Sequence, residues 1–490
     1  MTTPDIAVAL DVAVAYPQSA PFHPDLRYPE LSQLPESQVD PENRIYRAVR
    51  DLLASLGYDA DRFATAQWNP FGDIIRPGNR VVIKPNLVLH HNSGNPDISA
   101  VVTHSSVLRP VIDYCLIALR GAGELIVGDA PHGDADFEKI VRSNGLRSLV
   151  EWYQGRGQNV ALRDFRKFVY PNGFSESVCE RVDRDPDGYV MVDLGRQSHL
   201  CGLANLEGLY GSDYNRAQIV REHASGNHKY LVSATVLHAD VVICVPKMKT
   251  HKKTGVTINL KNLVGINGDK NFLAHFRVGS PSQGGDEFPD SRSLVLSVLR
   301  AWDHWSTRVL LAPNTYPLRV VYRYARFPFR FVRRIYRLIT GNPIWEKGNW
   351  HGNDTCWRMC LDLNHILRNV DAYGNLQSSP QRRYFCLVDG IVSGEGDGPM
   401  CPDPKPCGLL AAGKDPYQVD YISSYLMGFD PEKLALLRES RSSPEAGFDP
   451  NSLRIACSRR GAPVDYKSVN LRFRAHPAWK GTIERPARAL

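Results

Sequence analysis

No two of the ten cysteines are spaced C-x-x-C. Zinc ribbons and ferredoxin-type clusters are built on such close pairs, so an iron–sulfur cluster is not expected in this chain. Cys115 and Cys244 sit in apolar segments as core thiols, and the scattered pattern fits a reducing compartment. No uninterrupted apolar run reaches the roughly 18 to 20 residues of a membrane span. The N-terminus lacks a basic region, and Asp5 and Asp11 interrupt its apolar residues, which argues against a secretory signal. The expected location is the cytoplasm. No RNP-like, helix-turn-helix or zinc-finger pattern is visible, and a net charge of +7 over 490 residues is modest. Nucleic acid is therefore not an expected partner, whereas a small anionic substrate is. One local absence stands out: no Asp or Glu occurs between Asp303 and Glu346.

The stretch from Asp240 to Gly268 carries most of the chemistry. Val241 to Val245 is an apolar, β-branched run that reads as an interior strand ended by Pro246. Lys247, Lys249, His251, Lys252 and Lys253 follow, five potential cations in seven positions. Thr254-Gly255 turns the chain, and Val256 to Val264 has helical spacing with Lys261 beside Asn262. A basic loop at the carboxyl end of a buried strand, ahead of a helix, is where open α/β sheets bind anions.

The run PKMKTHKKTGVTINLKNLVGINGDK resembles the signature of the DUF362 family, named for its unknown function. Val82-Ile83-Lys84-Pro85-Asn86, Thr103-His104, the Asp389 to Pro399 loop and Asp415-Pro416 through Asp420 resemble family positions too. Some members carry ferredoxin-like cysteine segments, which this sequence lacks. The resemblance says nearly nothing about the reaction.

The rest of the chain supports an α/β fold with a largely parallel or mixed central sheet and helices on both faces. Pro41 to Leu56 is amphipathic, with Asp40 suited to cap it. Arg80 to Gly128 reads as a βαβ unit that puts Lys84 and Asp129 at strand ends and His104 at a helix start. Residues 170–228 are polar and turn-rich, an inserted loop. Arg319, Arg323, Arg326, Arg330, Arg333 and Arg337 recur at helical spacing, with Val320, Phe327, Phe331, Ile335 and Leu338 on other faces. That segment suits either contact with the inner face of a membrane or packing, on this chain or a second copy, through 319–338. Arg358 and Asp362 are spaced for a helix salt bridge. Four parts follow: a first core region at 1–300, a basic helical insertion at 301–350, a second core region at 351–450, and a tail at 451–490 that loosens toward its end.

Gly394-Glu395-Gly396-Asp397-Gly398-Pro399 follows a strand that ends at Asp389. Three carboxylates near one glycine-rich turn suit a hard divalent cation such as Mg²⁺ or Mn²⁺. The favoured reading is a metal-assisted enzyme acting on a small phosphorylated or carboxylated metabolite. In it Lys249, His251 and His104 serve the reacting groups, and Lys84, Asn86, Lys247, Thr254, Lys261, Asn262 and His275 bind substrate. Asp389, Glu395 and Asp397 hold the metal. The alternatives are a redox or metallocofactor protein and a non-catalytic membrane-surface assembly factor.

Overall fold

The computed structural model of the protein describes residues 3–35, 38–171, 179–211, 216–224, 226–290, 296–302, 305, 331–332, 335, 338, 345–441 and 447–486. An eleven-stranded sheet forms its centre. In chain order its strands are β1 (Ile6–Leu10), β2 (Arg80–Pro85), β3 (Glu124–Asp129), β4 (Val160–Asp164), β5 (Val241–Val245), β6 (Lys247–His251), β7 (Gly255–Thr257), β8 (Arg383–Glu395), β9 (Asp403–Gly413), β10 (Ile455–Arg459) and β11 (Ala462–Pro463). Their spatial order is β11-β10-β1-β9-β8-β5-β2-β3-β4, with β6 beside β8 and β7 beside β6. Strands β8, β5, β2, β3 and β4 run parallel, and β9 enters antiparallel between β8 and β1.

Side-chain alternation divides each central strand between two cores. Val241, Ile243 and Val245 face one core, together with Ile45, Val49 and Leu53 of helix α1 (Arg44–Ser55) and Val107, Leu108 and Val111 of α2 (Ser105–Leu119). Val242 and Cys244 face the other core. That core also holds Leu260 of α3 (Asn259–Asn262), Met359, Leu363 and Ile366 of α4 (Cys356–Asn369), and Val419, Ile422 and Leu426 of α5 (Pro416–Met427). Burial on both faces explains why these strands read as continuous apolar runs. At about 1.5–3 kcal/mol per large aliphatic side chain, this double burial is the main force fixing the sheet.

Several elements differ from the sequence reading. The basic segment after Pro246 is a strand, β6, with all of its residues buried. The predicted helix over Val256 to Val264 is instead β7, the four-residue α3 and a 3-10 turn at Leu263–Ile266. Pairing with β6 competes successfully with helical spacing here, because Val256 and Thr257 are β-branched. Gly255 makes the hairpin possible: its φ is +79°, and a Cβ there would lie 2.3 Å from Leu434 Cδ2. Asn43, not Asp40, caps α1 by accepting from the Tyr46 N–H. Arg358 pairs with Asp354 at 3.1 Å, whereas Asp362 receives Ser198, His199 and Tyr230. The polar 170–228 region contains, among the described residues, strands at Glu180–Arg181, Tyr189–Asp193 and Leu209–Gly211 and a helix, Arg216–His223. In the described part of the tail, Phe473, Trp479 and Ile483 are buried in the core that holds α4.

The six stripe arginines lie outside the described residues. Within that segment Phe331 and Leu338 are 62% and 77% exposed. Among the described residues, no helix is long and apolar enough to cross a membrane.

Candidate functional site

After β2 the chain builds β3 and β4 outward on one side, then returns as β5 on the other side of β2. The carboxyl ends of β2 and β5 therefore flank the point where the direction of winding reverses. In open α/β sheets, ligands bind at such a point. Lys84 is in register with Cys244, and Pro85 with Val245. From Pro246 the chain enters the β6–β7 hairpin, so the basic strand begins at this crevice.

Alternation along β6 sorts its residues by chemistry. Met248 enters the apolar core, and Lys247, Lys249 and His251 share the opposite face. Lys249 stands opposite Thr257 in the antiparallel hairpin, which puts their side chains on the same face.

Lys247 belongs to a closed network. Its ammonium donates to Asp389 Oδ2 and to Tyr16 Oη, both at 2.6 Å. Tyr16 donates to Asp389 Oδ1 at 2.6 Å, and the backbone N–H groups of His104 and Ile391 also reach that carboxylate. Burial pushes the Tyr16 hydroxyl well above its usual range and Lys247 downward, with Asp389 opposing the second shift. His104 stacks on Tyr16 with ring centroids 4.1 Å apart. Its Nδ1 accepts from the Ser106 N–H, so it caps α2 as a neutral imidazole. Burial, then Lys247, lower its pKa to about 3.

Lys84 is similarly engaged. It pairs with Asp129 at 2.7 Å and donates to Pro85 O and Asn262 Oδ1. Asn262 in turn donates to Lys84 O and Cys244 Sγ, and so ties α3 to the sheet. Asn86 pairs through its backbone with Thr103, while its Oδ1 is buried without a hydrogen-bond partner. Thr254 closes the hairpin by donating to Val256 O.

The remaining basic groups form a second cluster with a different character. Lys261 is 7% exposed, yet its ammonium has no hydrogen-bond acceptor or ion-pair partner among the described residues. Among the described residues, Lys249 donates only to Val101 O, at 2.6 Å. Burial, then the charges of Lys247 and Lys261, push Lys249 well below the usual lysine range. His251 and His275 are pushed well below the usual histidine range by burial first and Lys261 second. Lys253 is lowered to about 7 by burial and Lys252, and it donates to the Lys347 carbonyl.

The two histidines hold opposite tautomers. His251 Nδ1 accepts from the N–H groups of Lys253 and Thr254, which leaves the proton on Nε2. His275 Nδ1 lies 2.8 Å from Leu273 O and must donate to it, which leaves a lone pair on Nε2. Neither Nε2 has a partner among the described residues. Thr257 Oγ1 is buried and likewise has no partner among the described residues.

The acidic turn lies against the hairpin. Lys249 is in register with Gly394 of β8, and Thr250 donates to Gly396 O at 3.0 Å. The basic and acidic stretches thus adjoin, but the carboxylates have separate partners. Asp389 is saturated by the Lys247 network, Glu395 is held by Arg474 and Lys405, and Asp397 meets His476. Among the described residues, no group of three or more His, Cys, Asp or Glu is placed to hold a metal ion. The donor set expected for Mg²⁺ or Mn²⁺ is therefore not assembled.

Sequence reasoning missed Tyr16, which lies 373 positions from Asp389. Thr257 was within reach, because period two across a tight hairpin would have placed it opposite Lys249.

Comparison with known proteins accords with this geometry only at the level of family. A thylakoid-associated protein of Synechocystis sp. is 20% identical over 420 residues, covering 86% of this chain and 80% of that protein. No solved structure matches the chain. The model of a domain of unknown function, DUF362, matches residues 81–181 and 197–424, a span that takes in β2 through most of α5 and every element of the basic cluster. The chain belongs to the DUF362 family.

Proposed function

We propose that the protein is an enzyme that binds a small phosphorylated or carboxylated metabolite against Lys249, His251, Thr257, Lys261 and His275. The observation that carries this is Lys261, a 7% exposed residue whose ammonium has no acceptor or ion-pair partner among the described residues and whose charge lowers the pKa values of Lys249, His251 and His275. These neighbouring basic groups oppose one another's protonation, and an anion arriving among them would relieve that repulsion.

The neutral histidines give such a site one proton donor, His251 Nε2–H, and one acceptor, the His275 Nε2 lone pair. That is the minimum for moving a proton across a bound substrate. Lys247, Lys84 and Asn262 support the site through their internal partners, and His104 anchors α2. Asp389, Glu395 and Asp397 already serve Lys247, Arg474, Lys405 and His476, so no step of this chemistry runs through a metal they hold.

Titration calorimetry with inorganic phosphate and with malonate tests the reading. An anion beside Lys261 raises the pKa values of Lys249, His251 and His275, so binding near neutral pH should take up protons. The observed heat should then vary with the ionisation enthalpy of the buffer. Lys261→Met should weaken binding at least tenfold while leaving stability unchanged or higher, because it removes repulsion. Equal affinity in this variant would overturn the assignment.

A second reading, attachment to a membrane surface, has its own observation. The related Synechocystis protein is named as thylakoid-associated, and Phe331 and Leu338 stand exposed within a segment that has no acidic residue. Co-sedimentation with vesicles of 30% anionic lipid tests it. Replacing Phe331 and Leu338 with Ser should abolish pelleting, and unchanged pelleting would remove this support.

A further inference from the structure

Asn86 is the first residue beyond β2, at the point where the direction of winding reverses. Its backbone is fully used. The N–H donates to Thr103 Oγ1 at 2.9 Å, and the carbonyl accepts from the Thr103 N–H at 2.8 Å. Its side chain is not used: Asn86 is 6% exposed, and neither end of its amide has a hydrogen-bond partner among the described residues. Ile83 and Leu87 both enter the core that holds α2, which leaves Lys84 and Asn86 on the opposite side, toward α3. The segment that pairs with the Asn86 backbone also supplies Val101 O to the Lys249 ammonium. Asn86 and Lys249 therefore flank one short stretch of chain beside the Lys261 cluster.

A buried polar group without a partner is costly, so each native example calls for an explanation. Around this cluster the unmet groups fall into two sets. The donors are the Lys261 ammonium, His251 Nε2–H and the Thr257 hydroxyl. They match the oxygens of a phosphate or carboxylate. The acceptors are Asn86 Oδ1 and His275 Nε2. The Asn86 amide offers one acceptor in either of its two orientations. A fully ionised phosphate or dicarboxylate has no hydrogen to give these acceptors. A ligand that satisfies both sets must bring a donor of its own. An ammonium group would suit the acceptors but not the field, because Lys249 and Lys261 already supply positive charge there. A neutral hydroxyl suits both.

We propose that the metabolite held at Lys261 is a hydroxylated anion, a hydroxy acid or the phosphate ester of a polyol, whose hydroxyl donates to Asn86 Oδ1. This rests on the anion-binding reading above and narrows its substrate class. The lysines hold the charge, and Asn86 sets specificity. An anion of the same shape without the hydroxyl would exclude water from the amide and leave its oxygen unpaired, which is how a polar site rejects a close analogue. His275 Nε2 is a second acceptor on the same side of the tally, and it suits a ligand with more than one hydroxyl.

Titration calorimetry of the full chain with two matched pairs tests the proposal. The pairs are malonate with hydroxymalonate, and propyl phosphate with glycerol 3-phosphate, at a pH where both members of a pair carry the same charge. In the pair whose head group binds, the hydroxylated member should bind tighter by roughly tenfold or more. Asn86→Ala should cut that advantage to about twofold or less and leave the affinity for the plain anion nearly unchanged. Lys261→Met should do the reverse, weakening both members and keeping their ratio. The urea midpoint of Asn86→Ala should match the wild type, since the amide makes no internal hydrogen bond. The proposal is overturned if a plain anion binds and its hydroxylated counterpart binds no tighter, or if Asn86→Ala keeps the ratio. The anion-binding reading then stands. A lower urea midpoint with loss of affinity for both members would make Asn86 a structural residue, and overturns the proposal too. If no member of either pair binds, the anion-binding reading fails first and takes the proposal with it.

Discussion

Asp389 accepts from Tyr16, His104, Ile391 and Lys247, and it has no exposed surface. Removing one member of a buried charge pair strands the other, at a cost of about 3–5 kcal/mol. Asp389→Leu should therefore destabilise the protein by that amount in urea unfolding. The double variant with Lys247→Met should recover much of the loss, since both charges then leave together. Tyr16→Phe should cost less, about 1–3 kcal/mol, because the hydroxyl is a neutral link. If Asp389→Leu proves neutral, Lys247 is not structurally engaged, and it returns to the set of ligand-binding candidates. The contrast with Lys261 comes from partners: two buried lysines of similar sequence context differ entirely in what their ammonium groups touch.

At the scale of elements, the approach of the turn after α3 to the ends of β2 and β3 decides whether the crevice forms. Gly265 O accepts from the Ala130 N–H at 2.8 Å. A Cβ on Gly265 would sit 1.8 Å from Asp129 Oδ1 and 2.6 Å from Lys84 Nζ. Gly265→Ala must then displace the Lys84–Asp129 pair, and a loss of about 3–5 kcal/mol is expected in thermal unfolding. Because the same turn follows Lys261, phosphate affinity should fall with it. A variant with wild-type stability would show that the turn yields more readily than this contact implies. The β6–β7 hairpin is the element that sequence described least well. Five potential cations in seven residues read as a basic, anion-binding loop, yet the segment is a strand, β6, buried throughout. Its burial rests on Asp389, Tyr16 and Val101, none of them near in sequence. The helical spacing of Val256 to Val264 misled for a related reason, since the neighbouring strand took Val256 and Thr257 as partners of Thr250 and Lys249.

For the whole molecule, buried titratable groups set how stability follows pH. Folded His104 has a pKa of about 3 and folded His223 about 4, both lowered chiefly by burial from an ordinary 6.5. Between those values and 6.5 the unfolded chain binds more protons, so stability falls as pH drops. Asp420 acts oppositely: burial raises it from 3.8 to about 7, so the folded chain holds the extra proton in that window. His251 and His275 are lowered in the same way and join the histidine side, so stability rises with pH between roughly 4 and 6.5. Above neutrality the sign is unchanged. Lys253 and Lys270, lowered to about 7 by burial, let stability rise further until buried thiols such as Cys115 and Cys386, raised above their ordinary 9.0 by burial, oppose them. Urea midpoints from pH 4.5 to 6.5 should rise accordingly, and His104→Gln should flatten the curve. A curve that falls over that interval would contradict this balance.

The parallel centre was legible at this scale because strands buried on both faces must be apolar throughout, as Val241 to Val245 are. The Lys261 cluster was legible as composition but not as geometry. The separation of Lys247 from Lys261 depends on Tyr16 and Asp389, contributed by opposite ends of the chain.

Those distant ends have a consequence for synthesis. Strand β1 lies between β9 and β10, with Ile6 in register with both Gly413 and Ile455. Arg474 holds Glu395, and the Trp479 indole donates to Lys252 O on the site hairpin. A nascent chain makes β1 and the basic hairpin long before their partners leave the ribosome. Until residues beyond 479 emerge, β1 lacks both neighbours and the hairpin lacks its lid of tail residues. The exposed edge and the concentrated positive charge must then be tolerated, or shielded by a chaperone, for most of translation.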